Sequence, residues 1–177
     1  MSNWLKFVVT MAVAVVLVLM FRALAFTVYT VEGKGLTPVY IEGDRLLVNR
    51  WSYGLRVDGK EMLPYSRMLR KQVAKGDIVV FDLPGDTIKG EFIARCKAVP
   101  GDTIRLKEGT VVVPGLKDCA DADYYWLEAL SPQNPVDSRH LGFISERQII
   151  GKVITILYSH DDHRPFWAGY RKERMLP

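Results

Sequence analysis

Few polar side chains in this sequence are spaced so that they could act together in chemistry. His160 and His163 bracket two aspartates, and imidazole and carboxylate groups are common metal ligands. An arginine and a proline follow directly, so we interpret the tetrad as a solvated loop and predict neither a metal site nor a cofactor. Cys96 lies in an apolar, strand-like run that predicts a small core residue. A disulfide between Cys96 and Cys119 stays open at this point.

A more informative pattern is a series of short segments rich in glycine, aspartate and apolar residues. The first, at 30–48, reads TVEGKGLTPVYIEGDRLLV and directly follows a long apolar run. The others are NRWSYG at 49–54, KGDIVVF at 75–81, ARCKAVPGD at 94–102 and VDSRHLGF at 136–143. In this order and spacing, and over nearly the whole chain, they resemble the segments of type I signal peptidases. That family (S26) removes signal peptides from exported proteins with a Ser/Lys dyad.

The resemblance implies where a catalytic dyad would stand, and other residues occupy those positions. In the family a serine attacks the scissile carbonyl, a lysine of lowered pKa acts as general base, and a second serine orients the lysine. The corresponding residues here are Gly35, Ala94 and Pro135. The position that assists the oxyanion is Gly33, which also lacks a hydroxyl. The resemblance therefore implies a family member with no intact catalytic residue.

Neighbouring side chains do not replace the missing groups. Lys97 is three positions from Ala94, and odd spacing along a strand directs it to the opposite face. Lys34 faces away from the Gly35 side if the segment is extended. Thr37 carries a hydroxyl on the same side as Gly35, but the sequence offers it no base. We therefore predict no rewired catalytic site.

The retained residues are structural, and they imply a groove. Asp137 and Arg139 are expected to pair at the floor of the site, and Gly101 and Asp102 to form a tight turn. The family binds its substrate as an extended strand beside the active-site strands. The residues that would line this groove here are Gly33, Gly35, Thr37, Pro38 and Ala94.

Three functions fit this pattern. The first is a membrane-anchored protein that binds signal-peptide-like or other extended segments without cutting them, or that acts as accessory to an active paralogue. The second is an active signal peptidase with a non-standard site. The third is a non-enzymatic assembly factor for a surface structure or secretion complex. The net charge of +4 and the scattered basic residues do not indicate nucleic-acid binding.

The elements that must position these residues begin with an apolar segment. Residues 7–26 are long enough to cross a bilayer core of about 30 Å at about 1.5 Å per residue. A cleaved secretory leader with a cleavage site at Ala23-Leu24-Ala25 is the rival interpretation. The apolar stretch continues past that site, which favours an anchor. We expect residues 1–6 in the bacterial cytoplasm, 7–26 as a single-pass transmembrane anchor in the cytoplasmic (inner) membrane, and 27–177 as one extracytoplasmic domain.

The remainder of the chain has the punctuation of a mainly β protein, so we predict a signal peptidase I-like β-fold behind one transmembrane helix. Strands are predicted at 27–32, 45–49, 77–82, 91–99, 103–107, 110–113 and 148–157. A hairpin turn is predicted at 107–110, a short helix at 65–73 and a helical turn capped by Ser145. Five aromatic residues suit either a bilayer interface or the core: Trp51, Tyr53, Phe166, Trp167 and Tyr170.

Overall fold

An N-terminal apolar helix leads into a mainly β domain. The computed structural model describes residues 3–57, 65–83, 90–106, 109–118, 121–132, 134–161, 163–165 and 167–175. Helix α1 spans Asn3–Ala25, and the first strand begins at the next residue. Within the described residues, α1 is the one helix long and apolar enough to cross a membrane, by length and composition. No part of its window Asn3–Met20 is buried against the protein.

Eleven strands and one short helix, α2 (Ser138–Leu141), follow α1 in the described part of the chain. Seven strands form a curled antiparallel sheet in the order β1-β2-β11-β5-β6-β9-β10, while β3 pairs with β4 and β7 with β8. The strands are β1 (Phe26–Thr30), β2 (Asp44–Asn49), β3 (Leu55–Val57), β4 (Ser66–Met68), β5 (Ile78–Asp82), β6 (Glu91–Ala98), β7 (Thr103–Leu106), β8 (Gly109–Val112), β9 (Tyr124–Ala129), β10 (Ile144–Ser145) and β11 (Ile149–Ser159).

The large sheet is covered by apolar side chains on both faces. One core cluster contains Val79, Phe81 and Ala94, and the other contains Val80 and Ile93. Successive residues of a strand point to opposite faces, so neighbouring residues of β5 and β6 enter different clusters. This explains why β5 reads as an uninterrupted apolar run: both of its faces are buried.

All seven predicted strands are present, with ends within about two residues of those expected. Strands β3, β4, β9 and β10 were not predicted. The aromatic run in β9 was the available signal, because Tyr125, Trp126 and Leu127 are all buried in the sheet. The predicted hairpin joins β7 to β8, which pair from Thr103–Val112 to Leu106–Gly109. Residues 107 and 108 of its turn lie outside the described residues.

The predicted helix at 65–73 is wrong. Ser66–Met68 is strand β4, paired with Leu55–Val57, and Leu69 turns the chain with a φ of +53°. The Arg67 guanidinium donates to the Ile149 carbonyl at 2.6 Å, which attaches this ribbon to β11. A tertiary contact thus overrides the local helical pattern. The helical turn after Ser145 is confirmed as a 3₁₀ turn at Glu146–Gln148 with a capping box.

The C-terminal segment closes over the loop that precedes β2. Gly43 has a φ of +87°, and a Cβ there would overlap the His160 carbonyl, so only glycine fits. The buried Asp44 carboxylate accepts from the Ser159 hydroxyl at 2.6 Å and from Arg174 Nη2 at 2.9 Å. The interpretation of the histidine tetrad as fully solvated is wrong for His160, which is buried and stacked on Tyr158.

The aromatic residues divide between core and surface. Tyr53 is buried in a core cluster, and its hydroxyl donates to Asp77 at 2.8 Å. Trp51 is half-buried, whereas Trp167 and Tyr170 are exposed by 84% and 41%. Phe166 and Cys119 lie outside the described residues, and Cys96 is a free, buried thiol, as expected of a core residue.

Candidate functional site

A cleft of about 260 Å³ opens where the end of β1 approaches β6 across the curled sheet. The chain from Tyr29 to Glu32 forms one wall, and Glu91 to Ile93 of β6 form another. Gly35, Leu36 and Asn134 close it from two loops, with Val80 of β5 behind. Two backbone segments that face each other across a narrow cleft can hold an extended chain between them.

Gly35 lies at the mouth of this cleft, on an exposed loop. The Asn134 side-chain amide donates to the Gly35 carbonyl at 3.3 Å. A Cβ built on Gly35 would stand 3.6 Å from Asn134 Nδ2, an ordinary van der Waals contact. The position therefore has room for a side chain, and backbone geometry does not impose glycine there.

Ala94 does not line the cleft. It is fully buried in β6, opposite Val79 of β5 and Ala129 of β9. Its core cluster includes Phe81, with Phe92 and Val136 packed against it. Val80 and Ile93, which line the cleft, belong to the other core cluster, so Ala94 lies on the opposite face of the sheet. Lys97 is exposed and lies 3.8 Å from Glu128, in agreement with its expected orientation away from Ala94.

Pro135 is exposed and follows Asn134, so the loop at 134–137 and the Gly35 loop meet in space. The loop is held by Asp137, whose fully buried carboxylate accepts from Arg139 Nε at 2.7 Å and from the Ala129 amide at 3.3 Å. Burial alone would raise the pKa of Asp137, but these hydrogen bonds hold it below its usual range. The neighbouring Ser138 hydroxyl accepts from the Leu127 amide at 2.9 Å. The predicted pairing of Asp137 with Arg139 is present.

The other predicted site residues fall outside the cleft wall. Gly33, Thr37 and Pro38 are exposed on the same loop as Gly35 but do not line the cleft, and the Thr37–Pro38 peptide bond is cis. Gly101 and Asp102 form the expected turn, in which the Asp102 carboxylate accepts from the Val99 amide at 2.8 Å and pairs with Lys75 at 2.7 Å.

The chemistry of the cleft comes from residues that the sequence reasoning missed. Tyr29 donates a hydrogen bond to Glu91, and burial together with this carboxylate raises the pKa of the Tyr29 phenol to about 12. Glu32 is a second carboxylate in the wall. The available signal for these residues lay in the strand before the first segment and in the residues just before Ala94. Alternate residues of facing strands meet across a cleft, so both places could contribute side chains to its wall.

The wall of the cleft, as far as the structure describes it, contains no serine, cysteine, histidine or lysine. Its polar groups are two hydroxyls, two carboxylates and one amide, which can bind a peptide backbone. No group of three or more His, Cys, Asp or Glu side chains among the described residues is arranged to hold a metal ion.

Comparison with known proteins identifies one matching family and several similar proteins. The family described as "Signal peptidase, peptidase S26" matches residues 3–124. Signal peptidase I T of Bacillus subtilis (strain 168) is 29% identical over 190 aligned residues, covering 92% of this chain and 90% of that protein. Signal peptidase I P of Bacillus subtilis subsp. natto is 27% identical, covering 85% and 86%. Probable signal peptidase I-2 of Synechocystis sp. is 25% identical, covering 85% and 72%.

Proposed function

Because the chain belongs to the signal peptidase (peptidase S26) family, we propose that it is a membrane-anchored member that binds extended, signal-peptide-like segments without cleaving them. The observation that carries this proposal is the cleft beside Gly35, which has the walls for an extended chain but neither a serine nor a lysine among its described lining residues. Binding and hydrolysis are thereby separated, since binding needs the walls and hydrolysis needs an activated nucleophile.

The walls support peptide binding. The segment from Tyr29 to Glu32 and the segment from Glu91 to Ile93 lie on opposite sides of the cleft. A peptide placed between them could hydrogen-bond to exposed main-chain groups, which is how extended ligands add to sheets. A cleft of about 260 Å³ accommodates small side chains.

The loss of catalysis is proposed from three positions. Gly35 supplies no hydroxyl, although its backbone and surroundings would accept one. Ala94 supplies no amine, and its surroundings are apolar core side chains. Pro135 has no side-chain donor or acceptor to orient an amine, and it is exposed to solvent. Restoring one group would leave the others missing, so a single substitution is not expected to restore hydrolysis.

The N-terminal helix supports an anchored location. Helix α1 is apolar, its window Asn3–Met20 is not buried by the protein, and it leads directly into β1. We propose that residues 7–26 cross the bacterial cytoplasmic membrane once, with the β domain on the extracytoplasmic side. Signal peptides of exported proteins, or a signal peptidase with an intact dyad that presents them, would then be the partners within reach of the cleft.

A hydrolysis assay on the full chain in non-ionic detergent tests the proposal. The substrate is a secretory preprotein, and an active signal peptidase I with an intact dyad is the positive control. We expect no cleavage by this chain and measurable binding of a fluorescent signal peptide by anisotropy. Efficient cleavage by the unmodified chain would overturn the proposal and favour the second candidate, an active peptidase with a non-standard site, which its relatives' names support.

A pair of variants tests whether binding uses the cleft. Gly35→Phe places a ring in the mouth of the cleft, whereas Lys34→Phe, the matched control, changes an exposed neighbour that does not line it. We expect Gly35→Phe to weaken peptide binding about tenfold or more, and Lys34→Phe to leave it nearly unchanged. Equal binding by both variants would remove the cleft from the proposal and favour the third function, an assembly factor that works through another surface.

A further inference from the structure

A second and larger cleft, of about 1050 Å³, lies between the β7–β8 ribbon and the main sheet. It shares no lining residue with the cleft beside Gly35. Its floor is apolar, formed by Trp126 and Phe143, whose rings meet edge to face at a centroid distance of 5.7 Å. Ile104 of β7 packs against the same cluster. The volume is that of a ligand site and exceeds the small gaps usual within a packed domain.

One wall of this cleft is the free edge of a strand. All four residues of β7, Thr103–Leu106, line it, whereas Val111 alone does so from β8. Successive side chains of a strand point to opposite faces of the sheet. A cleft that touches four consecutive residues therefore runs along the edge of β7 and not over one of its faces. Among the described strands, β7 pairs only with β8. Its second edge therefore presents main-chain donors and acceptors to the cleft.

The rim of the cleft is cationic. Four basic side chains line it, Lys75, Lys97, Arg105 and Arg139, against the two carboxylates of Asp102 and Glu128. Lys97 is 64% exposed and stands 3.8 Å from Glu128, a weak pair. No carboxylate in the described part of the chain pairs with Arg105. Lys75 is paired with Asp102 at 2.7 Å and Arg139 with Asp137 at 2.6 Å, so the positive charge available to a ligand is that of Arg105 and the weakly paired Lys97. These two cations favour an anionic ligand, and the free strand edge favours an extended one.

We propose that this second cleft binds an extended acidic segment of a partner protein, which adds as a strand to the free edge of β7. Apolar side chains of the segment would rest on Trp126 and Phe143, and its carboxylates would meet Lys97 and Arg105. Strand addition supplies main-chain hydrogen bonds, and the alternating side chains supply selectivity. The protein would then hold a partner at one site and an exported segment at another.

The test uses the full chain in non-ionic detergent and a fluorescein-labelled octapeptide of alternating glutamate and valine, measured by anisotropy. A lysine–valine octapeptide is the charge control. A glutamate–valine peptide methylated on alternate backbone nitrogens is the control for strand addition, because it cannot donate the required hydrogen bonds. The variants are Lys97→Glu and Arg105→Glu, and Lys71→Glu is the matched control, since Lys71 is exposed and does not line the cleft.

We expect the acidic peptide to bind, the basic and methylated peptides to bind at least about tenfold more weakly, and each cleft variant to lose about tenfold in affinity. Lys71→Glu should stay within about twofold of the unmodified chain. Three results would overturn the proposal: no binding of the acidic peptide, an equal loss in Lys71→Glu, or full binding of the methylated peptide. Circular dichroism of each variant checks that it remains folded, and Lys97→Ala provides a milder change at the same position.

Discussion

A lysine introduced at position 94 tests how this domain accommodates the amine that a Ser/Lys dyad would require. Ala94 is fully buried. It lies between Val79 and Ala129 of the neighbouring strands, and Phe81 belongs to the same core cluster. A lysine there would carry its ammonium into apolar surroundings, and burial of this kind lowers a lysine pKa by about 3–5 units. Each unit corresponds to about 1.4 kcal/mol, so the charged amine would destabilise the fold by about 4 kcal/mol or more.

The matched control for Ala94→Lys is Ala94→Met, which adds a chain of similar length without a charge. Both variants overfill the core, which lowers the free energy of unfolding by about 1–3 kcal/mol. The difference in stability between the two variants therefore isolates the effect of the charge. The assay is urea unfolding of the full chain in detergent, followed by tryptophan fluorescence. If the free energy of unfolding falls by about 2 kcal/mol per molar urea, a loss of about 4 kcal/mol places the midpoint of the lysine variant about 2 M below that of the methionine variant.

The pH dependence identifies the cause. If the lysine pKa is depressed in the folded state, the full loss of stability is present below that depressed pKa. The loss disappears as pH rises toward the pKa of the unfolded chain, about 10.4. The gap between Ala94→Lys and Ala94→Met should therefore shrink between about pH 7 and pH 10. Equal stability of the two variants at pH 7 would refute the reasoning, because the ammonium would then have a solvated or paired position that the apolar cluster does not provide. In that case Gly35→Ser/Ala94→Lys would become a credible route to hydrolysis, whereas we expect little rescue.

Three further predictions concern buried polar groups. Asp44→Ala should lower the free energy of unfolding by about 3–5 kcal/mol, because it leaves Arg174 and the buried Ser159 hydroxyl without their acceptor. Asp118→Ala, the control at an exposed position, should change it by less than about 0.5 kcal/mol, and chemical denaturation compares the two variants. The lowered pKa of Asp137 stabilises the fold above about pH 4 and this contribution is lost as pH falls further, so Asp137→Asn should show a flatter acid-unfolding curve than the unmodified chain; parallel curves would contradict the assignment. Burial raises the pKa of the Cys96 thiol to about 12, so iodoacetamide at pH 8 should alkylate the Cys96 peptide only after unfolding, as mass spectrometry of that peptide would reveal.

The strands were largely predictable because their signal is local. Alternation and apolar runs bounded by glycine and proline identify β2, β5, β6 and β11 without knowledge of their partners. The apolar length of α1 and the order of the glycine–aspartate segments are equally local properties, and family membership follows from them. The error at 65–73 arose where a distant carbonyl, that of Ile149, decided the conformation.

The site was only partly predictable for the same physical reason. The sequence alone determined which side chains are absent at Gly35, Ala94 and Pro135, because an alanine or a glycine lacks a functional group in any fold. Tertiary structure decided what surrounds those positions: the curled sheet brings Glu91 against the end of β1, and alternation on β6 turns Ala94 into the core. Clefts form between segments that are distant in sequence, so the residues that line them depend on register and curvature, which no local pattern encodes.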